Sequence, residues 1–134
     1  MTQKYALSKT PEGIVDSLLA HLNSLDVEVM LNFYDDEGML IDAAGNPQVG
    51  REAIGAELKK YFSLGLQMSI VQRHMFVAGD IAELILDWSY IGNAPDGTPV
   101  NMVATANDIA RRGADGYWRY LIDNPFGTQV RQQS

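Results

Sequence analysis

The sequence predicts an α+β fold in which a curved antiparallel sheet packs on about three N-terminal helices and encloses an apolar pocket. Apolar residues recur at helical spacing as far as Gly65, and at a spacing of about two from Gln67 onward. Of the 134 residues, 46% are apolar and 20% are charged, which is ordinary for a globular domain. We therefore expect residues 1–134 to form a single domain with a folded core over residues 10–127.

The first helix is predicted to begin at Thr10-Pro11, because a hydroxyl can cap free N–H groups and proline is tolerated at the first helical position. The residues that follow predict one buried stripe, formed by Ile14, Val15, Leu18, Leu19 and Leu22. This stripe is the face that we expect to pack on the sheet.

A second helix is predicted to start at Asp26, whose side chain is a good N-terminal cap. Its apolar face extends to Tyr34 and the helix ends by Gly38. The acidic run Asp35–Glu37 is interpreted as a solvated helix end. A short strand, Met39–Asp42, follows and leads into a glycine- and proline-rich turn.

Gly50 precedes a third predicted helix that Gly65 closes. Its apolar face consists of Ile54, Leu58, Tyr61 and Phe62. Four strand candidates joined by short turns come next, over residues 67–78, 81–91, 100–112 and 117–124. Because these strands follow one another through hairpins, we expect an antiparallel meander with the helices on one of its faces.

Charge and composition exclude several classes of function. The net charge of −7 leaves no basic stripe for nucleic acid and disfavours anionic membranes. No cysteine is present, His21 and His74 are isolated, and Gly92–Gly97 is a hairpin turn rather than a phosphate-binding loop. We therefore expect no metal and no cofactor. The N-terminus lacks the apolar core of a secretory signal, so a cytoplasmic protein is expected.

Several motifs together resemble the nuclear-transport-factor-2-like superfamily, and within it the ketosteroid-isomerase-like and SnoaL-like proteins. The motifs are Asp26–Glu28, Tyr34–Gly38, a strand ending in Asp42, Gly50–Ile54, Asp115–Arg119 and Ile122–Pro125. The resemblance covers Thr10 to Gly127 and implies a cone-shaped α+β barrel of the cystatin-like type. Since that superfamily includes isomerases, cyclases and pocket proteins without a known reaction, the resemblance implies the fold and leaves the chemistry to the site.

Strand alternation predicts which side chains face the pocket. If Asp108 points inward, then Met102, Ala104 and Ala106 do so as well, and these mostly small residues leave space. The alternative is that the alanines only allow helix side chains to pack closely. The opposite face is semi-apolar, and the resemblance implies a homodimer through this outer sheet face.

Three carboxylates are candidates for the pocket. The resemblance places Asp42 where isomerase-like proteins keep a general base, and Asp108 where they keep a protonated acid. It places Asp123 where some SnoaL-like cyclases carry an acid or base. Each also has a purely structural interpretation, since aspartates near turns commonly accept backbone N–H groups.

One substitution argues against steroid isomerisation by the familiar arrangement. Leu18 stands where the resembling enzymes carry an oxyanion-binding tyrosine, and a leucine cannot donate a hydrogen bond. Tyr34, Tyr61 and Tyr90 are candidates to reach the pocket instead, and Trp88 is either a core residue or a stacking wall for a ligand.

Two functions remain open. The first is a cofactor-independent isomerase- or cyclase-type enzyme that uses aspartates as acid and base on a small apolar carbonyl compound. The second is a non-catalytic domain that binds a ligand or dimerises and keeps only the fold.

Overall fold

The computed structural model of the chain describes residues 5–127. A 3-10 turn, Pro11–Gly13, leads into α1, Ile14–Leu22, followed by α2, Val27–Leu31, and α3, Arg51–Phe62. The Asp26 cap is confirmed, because its carboxylate accepts the N–H groups of Glu28 and Val29. The cap predicted for Thr10 is wrong. Its side chain makes no capping bond to the helix, and lies 3.4 Å from the Ser8 hydroxyl.

The second helix is shorter than predicted. It ends at Leu31, and Tyr34 already begins a strand, because the backbone N–H of Tyr120 donates to the Phe33 carbonyl at 2.8 Å and strand pairing takes over. Asp35–Glu37 therefore lie in a strand rather than at a solvated helix end. Asp35 and Glu37 both form ion pairs with Arg111.

The sheet has six strands: β1, Tyr34–Ile41; β2, Pro47–Val49; β3, Ser69–Ala78; β4, Ile81–Asn93; β5, Pro99–Arg112; and β6, Trp118–Asp123. Their order across the sheet is β2-β1-β6-β5-β4-β3. The predicted antiparallel meander is present as β3 to β6, and β1 adds to it through a parallel pairing with β6. The short hairpin strand β2 was not predicted.

The core lies between the helices and one face of this curved sheet, which we call the inner face. Most of the predicted helix faces are buried in one core cluster with alternate residues of β4 and β5: Ile14, Leu18 and Leu22 of α1, and Ile54, Leu58 and Phe62 of α3. Val15, Leu19 and Tyr61 are only half-buried. As predicted, Ala104, Ala106 and Asp108 are buried, and Ala110 is buried with them, whereas the residues between them are only half-buried and Val103, just before Ala104, is 61% exposed. The α+β architecture is thereby confirmed.

A β-bulge in β6 orients the end of the chain. Ile109 of β5 is opposite Ile122, but the next residue, Ala110, is opposite Tyr120, so Leu121 is the extra residue. Simple alternation would put Tyr120 and Asp123 on opposite faces. The bulge brings both to the inner face, where they line the same cavity.

The opposite, outer face of β3, β4 and β5 carries several exposed apolar side chains: Val71, Phe76, Ile81, Ile91 and Val103. They are interspersed with polar groups such as the Arg73–Asp87 ion pair. Within residues 5–127, no helix has the length and apolar character needed to cross a membrane.

Candidate functional site

An apolar cavity of about 50 Å³ lies between the helices and the inner face, which is room for a few water molecules. Most of its wall is apolar: Leu18, Leu22, Leu40, Leu58, Phe62, Met68, Leu86, Trp88, Ala106 and Pro125. Its polar lining consists of Asp108, Asp123 and the three tyrosines Tyr61, Tyr90 and Tyr120. Two neighbouring carboxyl groups in such a wall are unusual, because burying a charge costs free energy unless it is compensated.

Asp108 is the deeper of the two carboxyl groups, with 3% of its surface exposed. Its Oδ2 accepts a hydrogen bond from the Tyr120 hydroxyl at 2.8 Å, and its Oδ1 accepts one from the Asn124 N–H at 2.7 Å. Burial and the charge of Asp123 nevertheless raise the pKa of Asp108 well above its ordinary value. Asp108 is therefore the member of the pair that holds a proton most firmly.

Asp123 lies within hydrogen-bonding reach of Asp108. Burial raises the pKa of Asp123 to about 6, against the stabilisation of its anion by hydrogen bonds from Tyr34 and Asp108. The Tyr34 hydroxyl donates to Asp123 Oδ2 at 2.5 Å. The pair is therefore expected to release its two protons in separate steps, with Asp108 favoured as the acid and Asp123 as the carboxylate.

Two further tyrosines, Tyr61 and Tyr90, line the cavity. Burial raises the pKa of Tyr61 to about 12 and also raises the pKa of Tyr90, so both remain protonated donors. Neither hydroxyl has a hydrogen-bond partner among residues 5–127, and the two rings stack with their centroids 6.5 Å apart. The cavity thus offers two uncommitted donors in addition to the aspartate pair.

The structure does not bring Asp42 to this cavity. Its Oδ1 accepts the N–H groups of Asn46 at 2.8 Å and Ala44 at 3.0 Å, and its Oδ2 accepts from Gln48. The bond from Asn46 is the main cause that holds the pKa of Asp42 below its ordinary value. Asp42 thus closes the turn between β1 and β2, and it lacks the apolar surroundings that raise the pKa of a base.

The other predicted contact residues divide into two groups. Tyr61, Trp88 and Ala106 line the cavity, although their contact with a ligand stays a prediction. Tyr34 reaches the site only through its hydroxyl on Asp123, and two further candidates, Met102 and Ala104, are not among the lining residues. Trp88 also donates from Nε1 to the Pro125 carbonyl at 2.8 Å, which ties the segment after β6 to the cavity wall.

Tyr120 was missed by the sequence reasoning. The only sequence signal for Tyr120 was its position on the last strand, three residues before Asp123. Because side chains alternate along a strand, this odd spacing predicts that Tyr120 and Asp123 lie on opposite faces of the sheet. Within the described part of the chain, no cluster of three or more histidine or acidic side chains has a geometry suited to a metal ion.

The curved sheet, the helices that cover it and the cavity between them form the architecture that the resemblance to the nuclear-transport-factor-2-like superfamily implied. More specifically, the family model of the SnoaL-like domain matches residues 15–121, and the chain belongs to this family. No curated protein sequence matches the chain.

Solved structures show the same fold at low sequence identity. A protein from Thiobacillus denitrificans, described as a calcium/calmodulin-dependent protein kinase type II association domain, is 23% identical with a TM-score of 0.72, over 90% of this chain and 98% of that one. A ketosteroid isomerase-like protein from Erwinia carotovora atroseptica is 18% identical with a TM-score of 0.65, over 81% and 86% of the two chains. At such identities the likeness shows the fold alone.

Proposed function

We propose that this protein is a cofactor-independent enzyme that moves a proton on a small, largely apolar carbonyl compound. The observation that carries the proposal is the pair of neighbouring aspartates, Asp108 and Asp123, in the wall of one apolar cavity. A carboxylate whose pKa is about 6 is poised to act as a base near neutral pH. Its neighbour, Asp108, is poised to act as a hydrogen-bond donor or acid.

The proposed reaction needs only groups that line the cavity. The Asp123 carboxylate takes a proton from the carbon beside the carbonyl, and the C–H electron pair moves to give an enolate. The enolate oxygen accepts hydrogen bonds from Asp108 and from the Tyr61 or Tyr90 hydroxyl. Asp123 then returns the proton to a carbon of the substrate, so that the enzyme ends in its starting protonation state.

Solvent exchange tests this proposal without knowledge of the natural substrate. A panel of small cyclic and open-chain ketones is incubated with the protein in D₂O, and deuterium incorporation beside the carbonyl is followed by NMR. Loss of the base in Asp123→Asn should slow the exchange by about 10²–10⁴-fold. Asp108→Asn should slow it as well, because the enolate loses a donor.

The controls are carboxylates outside the cavity. Asp36→Asn changes an exposed residue on β1 and should leave the exchange rate unchanged. Asp42→Asn tests the base that the family resemblance implied, and we expect exchange to persist in this variant. Exchange that survives Asp123→Asn but is lost in Asp42→Asn would overturn the assignment.

A second candidate function is ligand binding without turnover, and the predominantly apolar wall of the cavity favours it. Trp88 lines the cavity and provides a fluorescent reporter of occupancy. The other tryptophan, Trp118, is removed in a Trp118→Phe background, where no side-chain hydrogen bond is lost because its Nε1 has no partner. This function is favoured over the enzyme if ligands change the Trp88 fluorescence but incorporate no deuterium in the presence of protein that keeps both Asp108 and Asp123.

We also propose a homodimer through the outer face. Val71, Ile91 and Val103 are each more than 60% exposed there, and apolar patches of this kind commonly mark protein interfaces. Val103→Glu should convert the protein to monomers in sedimentation velocity experiments. Val49→Glu is the matched control, because Val49 is 60% exposed on β2, at the other edge of the sheet. Equal behaviour of the two variants would exclude this interface.

A further inference from the structure

We propose that Tyr34 is a positioning residue that stabilises the carboxylate form of Asp123, the base of the pair. This inference rests on the proposed function, since a base is required only if protons are moved. Tyr34 does not line the cavity and is not expected to touch a substrate. It acts through one hydrogen bond, from its hydroxyl to Asp123 Oδ2 at 2.5 Å.

The position of Tyr34 is fixed by the fold. It is the first residue of β1, and the parallel pairing of β1 with β6 places it opposite Tyr120. Its ring is buried in the core with 6% exposure. The hydroxyl therefore reaches Asp123 from behind the cavity wall, on a rigid strand rather than a loop.

The two aspartates compete for one proton, and their hydrogen-bond partners differ. Asp108 accepts two bonds from the protein, from Tyr120 and from the Asn124 N–H, and these bonds favour its anion. Apart from Asp108 itself, Asp123 accepts a bond only from Tyr34 among the described residues. The deeper burial of Asp108 outweighs its two bonds and raises its pKa, and the Tyr34 bond adds to the preference for the Asp123 anion.

The other groups around Asp123 do not replace Tyr34. The titratable side chains that face it come from every neighbouring element of the cavity: Tyr61 from α3, Tyr90 from β4, Asp108 from β5 and Tyr120 from β6. All four are neutral when Asp123 is ionised. None of the three tyrosines donates a hydrogen bond to Asp123, so Tyr34 is the neutral donor that selects its anion.

Tyr34→Phe removes the hydroxyl and keeps the ring, and Tyr120→Phe does the same for the tyrosine on Asp108. The primary readout is the ¹³C NMR titration of the two carboxyl carbons in the ligand-free protein. For Tyr34→Phe we expect the titration of Asp123 to move up by about one pH unit, as expected for loss of a hydrogen bond to a charged group. For Tyr120→Phe we expect the Asp123 titration to stay in place and that of Asp108 to move up.

The same variants give a kinetic readout if ketone exchange is observed. The acid limb of the rate–pH profile should move up in Tyr34→Phe and stay in place in Tyr120→Phe, whereas a merely structural role would lower the rate at every pH. Replacing Tyr34 with 3,5-difluorotyrosine, whose phenol is more acidic and a stronger donor, should move the Asp123 titration down. This variant keeps the hydrogen bond to Asp123, and it tests the inference if Tyr34→Phe does not fold.

An unmoved Asp123 titration in Tyr34→Phe, or an equal shift in Tyr120→Phe, overturns the inference. Because the NMR titration needs no substrate, this failure is distinct from a failure of the proposed function. If no ketone exchanges while the Asp123 titration still moves, the proposed enzyme is excluded, and Tyr34 is shown to control the ionisation of the pair alone.

Discussion

Replacing Asp123 with asparagine should make the protein more stable at neutral pH while slowing the proposed reaction. The pKa of Asp123 is raised from 3.8 to about 6 in the folded state. The folded state therefore binds the proton more tightly than the unfolded state over this window, and the free energy of unfolding falls as the pH rises through it. The difference in the pKa of Asp123 between the folded and unfolded states corresponds to a loss of at most about 3 kcal/mol in the free energy of unfolding at pH 7.

The assay is urea denaturation of the wild type and Asp123→Asn at intervals between pH 4 and pH 8. Asparagine preserves the shape of the side chain, and its carbonyl can still accept the Tyr34 hydroxyl. We expect the two proteins to have similar free energies of unfolding near pH 4. As the pH rises toward 7, the variant should become progressively more stable than the wild type. Asp36→Asn, on the exposed part of β1, should show no such divergence. A variant that is less stable than the wild type at pH 7 would refute the argument that the Asp123 charge is a cost to the fold.

Three further substitutions test the fold around the site by the same denaturation assay. Leu58→Ala should cost about 2–5 kcal/mol, because Leu58 is 3% exposed between α3 and the sheet, and a near-neutral result would contradict this packing. Asp26→Ala should cost about 1 kcal/mol through loss of the α2 cap. Gly38→Ala should destabilise, since a Cβ would lie 2.8 Å from the Asp35 carbonyl oxygen, and serine should behave like alanine there.

The sequence was sufficient to predict the parts of the fold that depend on local pattern. Helical spacing before Gly65 and alternation after Gln67 gave the helices, the meander and the inward set on β5. Asp108 was placed on the inner face by the same alternation. These features depend on which side chains are buried, and burial produces a periodic pattern of apolar residues in the sequence.

The parts that depend on long-range pairing were not predictable in this way. Tyr34 looked helical because it continues the apolar spacing of α2, and only its pairing with β6 makes it a strand residue. The bulge at Leu121 is decided by the register of β5 and β6. Asp42 looked like a base because it follows an apolar strand, yet its lone pairs are occupied by the turn that comes after it.

The distribution of donors around the cavity implies how a ligand is oriented under the proposed function. The side facing the sheet and α3 contributes Asp108, Tyr90 and Tyr61, whereas α1 contributes only leucines, Leu18 and Leu22. A carbonyl oxygen can therefore be satisfied only when it points away from α1, and the apolar body of the ligand must pack against the two leucines. Under the proposed function, the polar end of the site is therefore the aspartate pair on β5 and β6, and this one end of the cavity would both bind the oxygen and supply the base.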